Sequence, residues 1–215
     1  LNAQNKASDA AGDQLNTAVG YHAGVLVNTG VQNTLIGAQA ADSLTTGKNN
    51  VVVGYQALET EDTGDRSTAI GSFALKTQNN DADNYNTAVG YAAGLYLSTG
   101  TNSTFIGGLA GQGITGAKLT GVNNTAVGAS AGLLLQGTAS GNALFGALAG
   151  DAITTGARNT AIGTSALTLV NTGVNNVGLG EGAGYNITSG NSNIIIGKDI
   201  TAASATADSQ LNIGG

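Results

Sequence analysis

The side chains that could do chemistry are few and scattered. The only histidine, His22, would need a nucleophile or acid beside it to act in catalysis. Equivalent places elsewhere hold Gln39, Gln56, Phe73 and Ala92, an ordinary surface mixture, and His22 reads as one more of its members. The acidic run Glu59, Glu61, Asp62 and Asp65 could offer oxygens to calcium, which takes roughly six to eight. Asp81 and Asp83 form a looser pair. Neither group has the spacing of a dedicated calcium loop, and both read as solvated charge. No other pair of carboxylates stands apart, so no glycosidase site is expected within one chain. The glycine run Gly178–Gly184 imitates a dinucleotide-binding pattern, which needs a strand before it and a helix after it. Tyr21, Tyr55 and Tyr91 share one position and could stack on sugars or cover a neighbouring stretch of backbone. Thr29, Thr46, Thr63, Thr99, Thr155 and Thr172 share another, and regularly spaced threonines are what ice binding uses. No catalytic residue, cofactor or metal is expected.

These positions are equivalent because the chain repeats itself. "NTAVGYHAGVLVNTG" begins at Asn16, "NTAVGYAAGLYLSTG" at Asn86 and "NTAIGTSALTLVNTG" at Asn159. Anchored on the first residue of each copy, the units start at Asn16, Asn33, Asn50, Ser67, Asn86, Ser103, Asn124, Asn142, Asn159, Asn176, Asn193 and Gln210. Most intervals are 17 residues, and the insertions fall at Thr77–Tyr85, Gln112–Asn123 and Gln136–Gly141. A short fixed period is the signature of a solenoid.

The composition agrees. Of 215 residues, 35 are glycine and none is proline, cysteine, methionine or tryptophan; 9% are charged and 4% aromatic. A core of this size would ordinarily use more large side chains. Regular hydrogen bonding or partner chains must make up the difference. The net charge of −6 argues against nucleic acid, which is bound by clustered Lys and Arg. No apolar run approaches the ~20 residues of a membrane span, so no membrane insertion is expected. No secretory leader is visible and the chain begins at Leu1, so a piece of a longer or processed polypeptide is expected.

Each column has a physical reading. Four residues after the anchor (+4) stands a glycine in every copy, including Gly20, Gly37, Gly54, Gly90, Gly128, Gly163 and Gly197, which predicts a turn or a close backbone approach. Position +3 is apolar throughout (Val19, Ile36, Val53 and onward) and reads as the interior. Alanine at +7 marks a tight interior corner. Position +11 is largely apolar, with Glu61 breaking it. "TAVG" reads as a short strand; the residues from +5 to +11 read as a short helical or irregular turn, followed by a brief second strand. The anchors Asn16, Asn33, Asn50, Asn86, Asn124, Asn159 and Asn193 are expected to stack into an amide ladder. Residue +2 points opposite to +3 and is also mostly apolar, so Leu35, Val52, Phe105, Leu144 and Ile195 are expected to face partner chains.

The spelling "NTAVGYHAG…NTG…NTLIG…TTGKNN" resembles the coils in the heads of trimeric autotransporter adhesins, and "NTAIGxxAGxxxTTGxxN" looks closer to phage tail-fibre and related virion structural proteins. That resemblance implies an all-β fold: a left-handed parallel β-roll or β-solenoid of about 17-residue coils, assembled as a trimeric rod. It also supplies the number three for the partner chains. The ending "TAASATADSQLNIGG" resembles the segment before the C-terminal intramolecular chaperone of such fibres.

The expected organisation is a lead-in over residues 1–15, a repeat domain over 16–197 and a final half-coil over 198–215. The expected function is a non-enzymatic homotrimeric fibre shaft or head, a phage tail fibre in the first place, in a virion or at a cell surface, that attaches to a host glycan or protein. A bacterial trimeric adhesin head is the alternative, and an ice-binding protein comes next. The insertions are expected to project as loops. Tyr21, Tyr55, Tyr91, Asn79, Asn80 and Asp81 are the receptor-contact candidates.

Overall fold

A computed structural model describes residues 15–214; apart from Leu15, the expected lead-in lies outside them. The chain is an all-β solenoid with about 17 residues per coil. Its strands are β1 (Thr17–Val19), β2 (Thr34–Ile36), β3 (Val51–Val53), β4 (Thr68–Ile70), β5 (Thr87–Val89), β6 (Thr104–Ile106), β7 (Thr125–Val127), β8 (Ala143–Phe145), β9 (Thr160–Ile162), β10 (Val177–Leu179), β11 (Ile194–Ile196) and β12 (Leu211–Ile213). They form one parallel sheet in chain order. Register is kept through every coil: Thr17 faces Thr34 and Thr34 faces Val51. It also survives the insertions, with Thr68 facing Thr87 and Thr104 facing Thr125. Eleven steps of ~4.8 Å make a stack roughly 50 Å long. The stack continues beyond Gly197, because β12 pairs in register with β11.

The anchor residues hold the coils in step. Asn176 donates its backbone N–H (3.0 Å) and its Nδ2 (3.1 Å) to Asn159 Oδ1, and its Nδ2 also reaches Gly190 O across its own coil (2.8 Å). Asn193 repeats the pattern on Asn176, and Gln210 on Asn193. The amide ladder expected from the sequence is therefore present, and its members from Asn33 to Asn193 are buried.

The ladder also fixes which way the strands face, and here the structure reverses the expectation. Side chains alternate along a strand, so an inward anchor places +2 inward and +1 and +3 outward. Leu35, Val52, Phe105, Leu144 and Ile195, expected to face partner chains, are buried inside the coil itself. The +3 column, expected inside, lies on the outer face: Val19, Ile36, Ile70, Ile106, Phe145, Ile162 and Leu179 are exposed.

Beyond the strand, the +4 glycines let successive coils approach. A Cβ on Gly37 would lie 2.5 Å from Gly54 O, and one on Gly54 would lie 2.5 Å from both C and O of Gly71. Next come two tight turns, with no helix. Left-handed residues at +6 and +8, such as Gln39 (φ 57°) and Ala41 (φ 49°), bend the chain twice. Both +7 and +8 thereby turn inward, as Ala40 with Ala41 and Ala57 with Leu58 do. The brief second strand expected after +11 is reduced to single bridges, Leu97 with Leu119 and Leu119 with Gly137. Coil-to-coil bonds such as Thr45 N–H to Asp62 O (2.7 Å) hold that limb instead.

The interior fills by compensation between +8 of one coil and +2 of the next. Gly94 leaves room for Phe105: a Cβ there would lie 2.8 Å from the ring's Cδ2. Gly132 does the same for Leu144 (2.9 Å). Where +8 is large, +2 is small: Leu58 is followed by Ala69, Leu75 by Ala88, and Leu167 by Gly178, whose Cβ would stand 2.7 Å from Leu167 Cγ. Alanine at +7 and the apolar +11 column (Val27, Leu44, Leu97, Leu135, Ile153, Val170, Ile187) complete the core. Each coil fills its own interior despite the scarcity of large residues.

Candidate functional site

Three features depart from what the stack needs for its own packing. The first is the outer face of the sheet. Because +1 and +3 point outward, it presents a row of mainly threonine (Thr17, Thr34, Thr68, Thr87, Thr104, Thr125, Thr160) beside a row of mainly valine and isoleucine. No charged side chain stands in either row of the twelve strands. Ile162 is 41% and Leu179 43% exposed, Val53, Val89, Val127 and Ile196 are half-buried, and no member of the apolar row is buried. The other threonine column, with Thr29, Thr46, Thr99, Thr155 and Thr172 exposed, lies on the far limb of the coil and not on this face.

The second is an aromatic row at the corner after the glycine turn. Tyr55, Phe73 and Tyr91, on three successive coils, meet edge to face with centroids 5.4 and 5.9 Å apart. Beside them, Gln56 Nε2 donates to Glu59 Oε1 (2.8 Å) and Gln39 Oε1 (3.1 Å). Lys76 Nζ donates to Gln56 Oε1 (2.9 Å), pairs with Glu59 Oε2 (3.1 Å) and sits 5.2 Å from the centre of the Phe73 ring. Two of the candidate tyrosines are thus brought together through Phe73, while Tyr21 stacks on His22 at 4.0 Å. Sequence reading missed Phe73, Gln56 and Lys76. The available signal was the adjacency of +5 and +6, which lets a ring at either position join one row across coils.

The third is the insertion Thr77–Tyr85 with the polar pair beneath it. Glu61 is buried, which corrects its reading as solvated charge. It occupies the +11 column, and its carboxylate accepts from Gly64 N–H (2.8 Å), Gln78 Nε2 (2.9 Å) and Asn84 Nδ2 (3.2 Å). Gln78, in the same column one coil on, also bonds Ser67 Oγ (2.8 Å) and accepts from Asn86 Nδ2 (2.9 Å). This insertion does not project freely. Asn80 donates its N–H to Glu61 and its Nδ2 to Thr99 O (3.0 Å), and Asp81 accepts from Thr63 Oγ1 (2.8 Å). Asn79 and Asp81 are exposed, as are Asp83 and Tyr85, where Arg66 pairs with Asp83 and lies 5.6 Å from the Tyr85 ring centre. Asn79, Asn80 and Asp81 belong to this segment and not to the aromatic row. In the second insertion Ile114, Thr115, Gly116, Lys118 and Thr120 are exposed, and Ala117 N–H closes a turn on Ile114 O (3.4 Å). The third is tied in by Gln136 N–H to Thr154 O (3.0 Å), and its Ala139 is buried.

The glycine run resolves as repeat positions. Gly178 is inside β10, Gly180 is a +4 glycine, Gly184 packs on Leu167, and turns take the place of the helix a phosphate loop requires. Among the described residues, no group of three or more His, Asp or Glu is placed to hold a metal ion, and no helix is long and apolar enough to cross a membrane. Comparison with known protein families, with curated proteins and with solved structures finds no match to this chain.

Proposed function

We propose that this chain is a non-enzymatic structural element of a trimeric fibre: the shaft or head of a phage tail fibre that carries a host-attachment surface, in the virion or otherwise outside the cell. The observation that carries the reading is the continuous uncharged outer face of the sheet. Its two outward rows span roughly 500 Å² if the stripe is ~10 Å wide and ~50 Å long, at the upper end of what monomers expose. A flat face of β-branched residues in constant register suits the same face of another copy. Since +2 is spent on the interior, association falls to +1 and +3. The number three comes from the resemblance to trimeric fibres, and a bacterial trimeric adhesin head would use the same physics.

A second reading is favoured by the same face. Threonine and β-branched residues in two parallel rows, repeating at the strand spacing, form a regular uncharged array of methyl and hydroxyl groups that could order water as an ice surface does. Only a chain whose face stays open could use it so. Light scattering on the purified chain separates the two. A mass of three times the 20.9 kDa chain supports the fibre. A folded monomer with measurable thermal hysteresis would replace the fibre by the ice-binding reading.

A further inference from the structure

We infer that the row Tyr55–Phe73–Tyr91, with Gln39, Gln56 and Glu59 beside it, is a binding platform for an uncharged cell-surface glycan. The inference deepens the attachment reading and rests on it. The rings are not required by the fold. The same corner is built with Ala129 and Ser130, with Ala147 and Leu148, and with Thr164 and Ser165, and those coils stack in the same register. Here, instead, Tyr55 is 45% and Tyr91 58% exposed. Two large apolar faces are left to water at a place where packing asks for none.

The chemistry beside the rings narrows the ligand. Sugar rings present patches of C–H on their faces and hydroxyls on their edges. The aromatic row, with centroids 5.4 and 5.9 Å apart, offers a surface for such faces about as long as two linked sugar rings. The amides of Gln39 and Gln56 and the Glu59 carboxylate offer acceptors and donors for the hydroxyls. These groups are already held in place: Gln56 is bound by both Glu59 and Lys76, and Gln39 by Gln56. A fixed set of polar groups loses less freedom on binding. The Glu59 carboxylate is paired with Lys76 at 3.1 Å, and Asp42, in the same column one coil back, adds a negative charge beside the row that disfavours an anionic ligand. The chain's net charge of −6 further disfavours polyanionic glycans.

The test uses the full chain on a printed array of neutral oligosaccharides and bacterial surface polysaccharides. Wild type should be retained by at least one uncharged glycan. Tyr55→Ala with Tyr91→Ala should lose binding at least tenfold, Tyr55→Phe should keep it, and Tyr185→Ala, an exposed tyrosine away from the row, should match wild type. Circular dichroism checks that the variants remain folded. Retention of no uncharged glycan, or equal retention by the double variant, overturns the platform. Binding of labelled protein to bacteria displaying the retained glycan separates the platform from attachment. Cell binding that survives the double variant overturns the platform alone. Glycan retention through the row without cell binding supports the platform and overturns the attachment reading.

Discussion

Gly54 shows how little freedom a single position in the stack has. Its φ is 142°, and a Cβ there would lie 2.5 Å from both C and O of Gly71. That neighbour is backbone inside the ladder and cannot move without shifting the next coil. Gly54→Ala should therefore cost about 3 kcal/mol, since strain and a backbone clash act together; the shift of a urea unfolding curve measures it. Glu61 makes a different case. Burial pushes its carboxyl above the ordinary value, against the hydrogen bonds from Gln78, Gly64 and Asn80 that favour the charged form. The folded chain then holds this proton more tightly than the unfolded one. The group's stabilisation is complete below the ordinary value of 4.5 and is lost as pH rises through the raised one. The melting temperature of wild type relative to Glu61→Gln should therefore rise as pH falls from about 7 toward 4.5. A difference that stays constant with pH would place the carboxyl in water.

At the scale of the coil, the inner and outer halves of a strand should respond differently. Leu144, at the middle of β8, is buried, while Ile162, at the end of β9, is 41% exposed. Leu144→Ala should lose about 2–5 kcal/mol, the range for a leucine removed from a packed core. Ile162→Ala should lose well under about 1 kcal/mol in a monomeric chain. Gly132→Ala should harm the wild type, because its Cβ would meet Leu135 at 2.8 Å and Leu144 at 2.9 Å, and should harm the Leu144→Ala background less, since one of the two clashes is gone. Calorimetry on the four chains reads that coupling, and additive effects would contradict the compensation between +8 and +2. Much of the coil was legible in the sequence. The period gave the strands, the glycine column gave the close approach, the alanines at +7 gave the corner, and the asparagines gave the ladder. The facing of the strand was misread because +3 is apolar in every copy, whereas +2 includes Ala69, Gly178 and Asn212. Ala69 and Gly178 answer Leu58 and Leu167 one coil back, a relation visible only once the stacking order of +8 and +2 is known. The ladder itself held the missing clue: an inward amide at position 0 forces +2 inward. Phe73 stayed hidden for a related reason, since a row across coils can mix two columns.

Across the whole molecule, the apolar interior is filled from within the coils, and the large apolar surface left open lies on the outer face of the sheet. The outer face carries its threonine and β-branched rows through twelve strands without a charge, and the insertions leave its register untouched because they enter on the other limb of the coil. In the proposed fibre, the open uncharged face of the stack is the surface on which copies would associate. If copies meet there, charges placed in the +3 row should separate them without unfolding the coils, since that row contributes little to the interior. Sedimentation velocity on wild type beside Ile106→Asp with Ile162→Asp tests this most directly. Wild type should sediment at three times 20.9 kDa and the variant as a folded species of 20.9 kDa. A wild type that sediments as a single folded chain, or a variant whose assembly is unchanged, would contradict association on that face.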